Sequence, residues 1–366
     1  MLLFSASFPS LPRRLLSRSA STLPLVARHP TSPPIPTHAD VVVIGGGHAG
    51  VEAAAAAYRV FANSGNSNSQ RSHRPHRVVL LTQRLDTVGE MACNPAIGGV
   101  GKGTLVREID ALGGIMGQAA DASGIHFKVL NRSRGPAVQG PRCQCDRTAY
   151  KAAVQRAIVD MIDDDDVPHV QFDVVEASAD DLVVLESQEA AAAGVTAKNI
   201  KKIVQGVVIT PTDATQEQTI TASRVVVTTG TFLRGRVHLG RENYPAGRHL
   251  ENSNDVEPPS TALASTFERL GLPLSTLNTG TPPRLSGATI DWNHPSMEKQ
   301  DSEMLPMLET MSFMTDVPAL YNYQDSAPFL PTMQVYTNSN THTMVRNNLD
   351  GLPTYRTNEG EGHGPR

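Results

Sequence analysis

The apolar positions along this chain change period several times, and those changes lay out its elements. Residues 41–44 are four β-branched side chains in a row, the pattern of a strand buried on both faces. An alanine-rich run at 52–57 follows and reads as a helix. A second apolar run at 78–81 predicts the next strand, 105–112 a helix, and the stretch from Asp146 to about Ile162 another helix, which stops at the acidic turn 163–166. Strands are expected at 170–175, 182–186, 204–210 and 224–228, separated by turns or insertions, with 190–197 a loop or short helix. Strand, helix, strand, an antiparallel excursion and a returning strand predict an α/β fold: a doubly wound, Rossmann-like domain with a β insertion.

Between the first strand and its helix stand Gly45, Gly47 and Gly50, the spacing G-x-G-x-x-G. Each glycine has a separate task there. Gly45 lets the chain turn off the strand, Gly47 removes the side chain that would keep a pyrophosphate away, and Gly50 lets the helix lie close to the strand. The phosphates then meet the positive end of the helix. A strand precedes the spacing and a helix former follows it, so dinucleotide binding outweighs an ordinary glycine turn. The second strand runs into Thr82, Gln83 and Arg84, where an acid usually holds a ribose, so the spacing does not choose between FAD and NAD.

Two further stretches carry chemistry. Residues 86–103 hold five glycines, one proline, Cys93 and Lys102, the make-up of an irregular loop that approaches a ligand. A cysteine in a helix or strand is usually an inert apolar filler, but in such a loop a reactive thiol is at least as good a reading of Cys93. Residues 121–147 concentrate Lys128, Arg132, Arg134, Arg142 and Arg147, either a solvated face or a phosphate-contacting one. Thr229-Gly230-Thr231 is a second close approach of backbone to ligand. In residues 278–284, Pro282 and Pro283 stiffen a loop and fix the direction of Arg284, as an anion grip or a salt bridge. Residues 63–77, polar and aperiodic, read as a surface insertion.

Composition adds bounds. At 366 residues and 39% hydrophobic content the chain can bury a large core in two lobes. No apolar run reaches the roughly 18 residues of a membrane span. Residues 1–39 carry Arg13, Arg14, Arg18 and Arg28 and no acid, the composition of a mitochondrial transit peptide, with a plastid address as the alternative. Removing those four arginines takes the formal charge from −4 to about −8, so a nucleic-acid partner would need a local basic patch. Cys93, Cys143 and Cys145 form no secreted disulfide framework, and the C-x-C pair lacks the second ligand pair of structural zinc. The expected organisation is a transit peptide at 1–39, a dinucleotide-binding domain at 40–236 and a second domain at 237–366.

Taken together, the stretches VVVIGGGHAG (from Val41), DTVGEMACNPAIGGVGKG (from Asp86), IHFKVLNRSRGPAVQGPR (from Ile125), TTGTFLRGRVHLG, TGTPPR, THTMVRNNLDG and GHGPR resemble the MnmG/GidA family in its mitochondrial form. These are FAD-dependent enzymes that place a 5-carboxymethylaminomethyl group on tRNA uridine. The resemblance covers nearly all of 40–366. It implies a FAD-binding domain and an incomplete second domain for NAD and substrate. It also implies work beside an MnmE-like GTPase on C5 of the wobble uridine of tRNA, with NADH as reductant and methylenetetrahydrofolate as one-carbon donor. Glycine or taurine would supply the amine, and the enzyme would form a homodimer within a hetero-oligomer in the mitochondrial matrix.

Carried over by position, the family's FAD loop falls on Gly45, Gly46, Gly47, His48, Ala49 and Gly50, with further FAD contacts at Val175 and Ser260. Its nicotinamide segment begins at Gly364, Pro365 and Arg366. Cys93 matches one of two functional cysteines; a thiolate there either adds to C6 of the uracil, which makes C5 nucleophilic, or carries a proton. The second cysteine of the family lies two residues past Gly-Pro-Arg, so the chain reads as an N-terminal fragment. Asn278 replaces the family's usual lysine. Cys143 and Cys145 stand where small apolar residues are common and are expected to have no catalytic role. The competing expectations are a folate- and FAD-dependent tRNA uracil-5-methyltransferase, against which the CNPAIGG loop argues, and a non-catalytic dinucleotide-binding remnant.

Overall fold

The computed structural model describes residues 25, 34–64, 74–92, 94–186, 202–239, 242–249, 256–276, 280, 285–302, 310–315, 329–351, 354–357 and 360–363. Cys93, Asn278, Arg284, the 190–197 stretch, most of the transit-peptide region and Gly364, Pro365 and Arg366 lie outside the described residues.

Strand β1 (His38–Ile44) is followed by helix α1 (His48–Ser64) and strand β2 (His76–Thr82). A short strand β3 (Ala96–Gly98), helices α2 (Lys102–Ala111) and α3 (Met116–Ser123), strands β4 (Gly124–Leu130) and β5 (Gly140–Cys145), and helix α4 (Arg147–Ile162) come next. The long strands β6 (Val170–Glu186), β7 (Lys202–Pro211) and β8 (Gln218–Val227) complete the body. Asp146 starts α4 by accepting the Ala149 N–H at 2.8 Å, an N-cap that the sequence places where the helix begins.

In space the parallel strands lie in the order β6, β2, β1, β8, and β7 joins β6 to β8 antiparallel, closing the set. The β-branched run is explained by this position. Val41, Val43, Val78, Leu80, Phe172 and Val174 face one core with α1, α3 and α4, while Val42, Ile44, Val79, Leu81 and Val175 face the other, with β7, β8 and Leu263. A strand covered on both faces has no polar side to show.

One expectation is corrected. Residues 170–175 and 182–186 are not two strands with a turn between them but one strand of 17 residues. Ala177 and Ala179 keep the in-and-out alternation; β6 leaves β2 for β7 after Glu176, and the run Asp180-Asp181 sits at a register shift within the β6–β7 pairing. A bulge bends the strand there without ending it. The Asp181 carboxylate accepts the N–H of its neighbour Leu182 at 2.8 Å and, across the fold, the Thr266 hydroxyl at 2.6 Å, while Asp180 accepts the Ser178 hydroxyl at 2.7 Å, so both acids are satisfied within a continuous strand.

Beyond residue 237, strands β9 (Arg236–Leu239) and β10 (Glu242–Pro245) form a hairpin, and helix α5 (Thr261–Arg269) packs on β6. Later segments return to the hairpin of β4 and β5. Leu330 donates its N–H to the Ile125 carbonyl at 2.8 Å, Phe329 packs on Phe127, and the Ser302 hydroxyl accepts the Phe127 N–H at 2.9 Å. Met311 is fully buried in the first core.

Candidate functional site

The Gly45–Gly50 turn leaves β1 at the end of the parallel set, where α1 and β2 depart to one side and β8 returns on the other. Within the parallel strands that is the switch point, the place where α/β sheets bind ligands. Gly45 holds φ +114°, and a side chain there would meet the Thr228 carbonyl at 2.6 Å. A Cβ on Gly46 would stand 2.7 Å from the Thr82 hydroxyl, and one on Gly50 would overlap the Gly45 carbonyl at 1.7 Å. Only Gly47 differs, with no atom within 4 Å of a Cβ built on it. Three of the glycines are therefore required by the protein's own backbone and side chains, and the fourth keeps open space in front of the first turn of α1. That is the cradle a pyrophosphate needs.

The turn is fixed from three sides. Gly45 donates to the Leu81 carbonyl at 2.8 Å, Gly46 accepts from the Gly89 N–H at 3.0 Å, and the Thr228 hydroxyl donates to the Ile44 carbonyl at 2.7 Å. Ala54 and Ala55 of α1 are fully buried against the sheet. His48, the first residue of α1, stacks on Tyr150 with centroids 5.5 Å apart. Burial and the nearby Arg248 guanidinium lower its pKa to about 4, so His48 is neutral at pH 7.

The strand end that lacks a ribose acid is occupied otherwise. Arg84 grips Asp86 with two hydrogen bonds of 2.9 and 2.7 Å, which lowers the Asp86 pKa. Behind them the buried Glu257 carboxylate accepts from the Thr87 hydroxyl at 3.3 Å, and Arg248 donates to the Thr87 carbonyl at 2.9 Å. Burial raises the pKa of Glu257.

Val175 lies on β6 opposite Leu81, with its side chain in the second core, so only its backbone can face a ligand. Ser260 precedes α5 and bridges to Leu233, just past β8. In strand order the glycine turn lies between these two positions. Gly230, in the second glycine turn, has φ +59° and open space beside it. Asn94 to Gly103, next to Cys93, includes β3 and leads into α2. Cys143 and Cys145 are buried on β5 with their sulfurs 3.7 Å apart, and burial raises the Cys143 thiol pKa well above its usual value. That environment disfavours a thiolate.

Besides Glu257, three buried carboxylates among the described residues were not anticipated from the sequence. Glu52 of α1 accepts the N–H groups of Ile115 and Met116 at 2.8 and 2.6 Å and so caps α3. Asp121 of α3 accepts the N–H groups of Met311 and Ser312 at 2.7 and 2.9 Å, and Asp110 of α2 accepts the Phe313 N–H at 2.8 Å. Nothing local distinguishes Asp110 or Asp121 from a surface acid. Glu52 carried one trace, an acid in an alanine-rich helix.

Comparison with known proteins gives consistent matches. The family model described as glucose inhibited division protein A matches residues 40–366. A relative from Granulibacter bethesdensis, the tRNA uridine 5-carboxymethylaminomethyl modification enzyme MnmG, is 39% identical over 322 residues, 88% of this chain and 42% of its own. Two crystal structures of Aquifex aeolicus GidA superpose on the chain. Form I gives a TM-score of 0.61 at 32% identity over 86% of this chain and 44% of that one, and form II gives 0.56 at 35% over 76% and 38%. The chain thus spans less than half the length of these relatives.

Proposed function

The chain belongs to the glucose inhibited division protein A family, also called MnmG, and from that premise we propose that it is the FAD-binding part of a tRNA wobble-uridine modification enzyme. The observation that carries the reading is the division of labour in the glycine turn, where Gly47 alone faces open space. Gly45 to Gly50, with His48 and Ala49 in the first turn of α1, would hold the pyrophosphate. The Val175 backbone and Ser260 would hold the two flanks of the cofactor. When bound, FAD supplies redox chemistry, with NADH as the reductant and methylenetetrahydrofolate as the source of the carbon attached to C5.

The residues of the chain do the rest. A neutral His48 adds no charge beside the phosphates, leaving their stabilisation to backbone N–H groups and the helix dipole. Cys93 is the proposed nucleophile or proton carrier at C6 of the uracil. Gly364, Pro365 and Arg366 would open the nicotinamide segment. The partner is an MnmE-like GTPase acting with a homodimer of this protein, and the working compartment is the mitochondrial matrix, the address read from residues 1–39.

The test is purification of the chain followed by flavin release and incubation with unmodified tRNA, NADH, methylenetetrahydrofolate, the amine donor and the GTPase. Nucleoside mass spectrometry then reads the uridine product. Bound FAD with formation of the C5-modified uridine is the expected result, and Cys93→Ala should keep the flavin and lose the product. Release of no flavin, or formation of 5-methyluridine, would overturn the reading.

A further inference from the structure

One buried cation beside the glycine turn has a donor that the fold leaves unused. Arg248 follows β10, and only 9% of it is exposed. Its Nη1 donates to the Thr87 carbonyl at 2.9 Å, while Nε is enclosed and has no hydrogen-bond partner among the described residues. A buried guanidinium with a donor left over calls for an acceptor.

The surroundings of Arg248 are the loops that leave the parallel strands. Thr87 lies in the turn after β2. Phe232, in the turn after β8, has its ring centroid 5.6 Å from the guanidinium carbon. His48, which opens α1 after β1, has its pKa lowered by burial and by the charge of Arg248. Strands β2, β1 and β8 are neighbours, with β1 in the middle. Arg248 therefore sits across the carboxyl ends of three adjacent strands, the crevice in which such sheets take ligands.

The chain that presents Arg248 is fixed. Gly247 donates its N–H to the Glu257 carbonyl at 2.7 Å, Glu257 donates its own to the Arg248 carbonyl at 2.8 Å, and Ala246 donates to the Gly235 carbonyl at 3.0 Å. A Cβ on Gly247 would stand 2.9 Å from the Pro258 carbonyl oxygen, so the two segments pack closely. The Glu257 carboxylate accepts from the hydroxyl of Thr87, whose carbonyl holds Arg248. This guanidinium is preorganised, unlike that of a mobile surface arginine.

The turn beside it lacks a cation. Residues 45–58 include no Lys or Arg, and their one formal charge is the acid Glu52, which is occupied by the N–H groups of Ile115 and Met116. Backbone N–H groups and the helix dipole answer part of the charge of a diphosphate, and a fixed planar guanidinium suits the remainder. We propose that Arg248 is a further binding residue of this site, its guanidinium donating to the diphosphate of the dinucleotide. The inference rests on the dinucleotide reading of the glycine turn and adds a side-chain cation to the backbone donors of that turn.

The experiment measures binding of ADP, adenosine and FAD to the flavin-free chain by calorimetry. Wild type should bind ADP more tightly than adenosine, the difference being the diphosphate. Arg248→Gln should lose at least about tenfold in affinity for ADP and FAD while adenosine is unaffected, and the salt dependence of ADP binding should shrink. Arg248→Lys, which keeps the charge, should retain part of the preference for ADP. Because Arg248 also holds the Thr87 carbonyl, thermal melts check the folding of each variant, and a second measurement is made on wild type. With isotope-labelled arginine, the Nε resonance that Arg248→Lys removes should shift when ADP or inorganic pyrophosphate is added to wild type, and stay in place with adenosine. A folded Arg248→Gln chain that keeps the wild-type preference, equal weakening of ADP and adenosine, or an unmoved resonance overturns the inference and leaves the dinucleotide reading standing. Failure of wild type to bind ADP or FAD overturns both.

Discussion

The two glycines Gly47 and Gly50, three residues apart in one turn, should fail in opposite ways when each is replaced by alanine. A Cβ on Gly50 falls 1.7 Å from the Gly45 carbonyl oxygen and 2.7 Å from the Thr228 hydroxyl, where real contacts begin at 3.0 Å. Relief requires α1 to retreat from the turn by about 1.3 Å. The obstacle is backbone, so no side chain can swing aside. The retreat would also lift the fully buried Ala54 and Ala55 from the sheet. Overpacking of a dense interior costs about 1–3 kcal/mol, and with the lost helix–sheet contact Gly50→Ala should sit at or above the top of that range.

A Cβ on Gly47 meets nothing within 4 Å, and alanine restricts the unfolded chain, so Gly47→Ala should leave stability unchanged or raise it by up to about 1 kcal/mol. Its methyl group instead fills the space reserved for the pyrophosphate, and FAD affinity should fall at least tenfold. Urea unfolding of the flavin-free proteins measures the first effect and flavin fluorescence titration the second. A Gly47→Ala protein that binds FAD as wild type does, or a Gly50→Ala protein with wild-type stability, would refute the assignment of separate roles.

Other expectations follow from the buried carboxylates. Burial raises the Asp121 pKa to about 6 from 3.8, so the folded state holds this proton more tightly than the unfolded chain. Its contribution to stability is full below about pH 4 and is lost as pH rises through about 6, a swing of order 3 kcal/mol. Asp121→Asn should remove that slope from the difference between variant and wild-type unfolding curves, and an unchanged slope would count against it. The same variant turns an amide N–H₂ towards donors at Met311 and Ser312 and should lower stability by about 1–3 kcal/mol. Glu52→Ala should cost about 2–3 kcal/mol by uncapping Ile115 and Met116. Glu52→Gln should cost under about 1 kcal/mol, because its amide oxygen still accepts; thermal melts of the pair distinguish the cap from mere volume. Tyr58→Phe removes the 2.7 Å hydrogen bond to Asp164 and should cost about 1 kcal/mol, read by the same melts.

What the sequence determined by itself was local stereochemistry. The β-branched run of β1, the glycine spacing and the Asp146 cap each depend on groups a few residues apart, so their types and order were sufficient to place strand, turn and helix. The alternation of buried side chains also survived from the pattern, and where it was misjudged, at Asp180 and Asp181, the reason was a partner far along the chain. Thr266 lies 85 residues from Asp181, and no local rule announces that it will satisfy an acid in the middle of a strand. The burial of Cys143 and Cys145 on β5 agrees with the small apolar residues expected at those positions. Tertiary structure alone decided that Asp110 and Asp121, ordinary acids by their neighbours in sequence, hold Ser312 and Met311 from about 200 residues away. A charge can be buried only where its hydrogen-bond donors converge, and that convergence is a property of the folded chain.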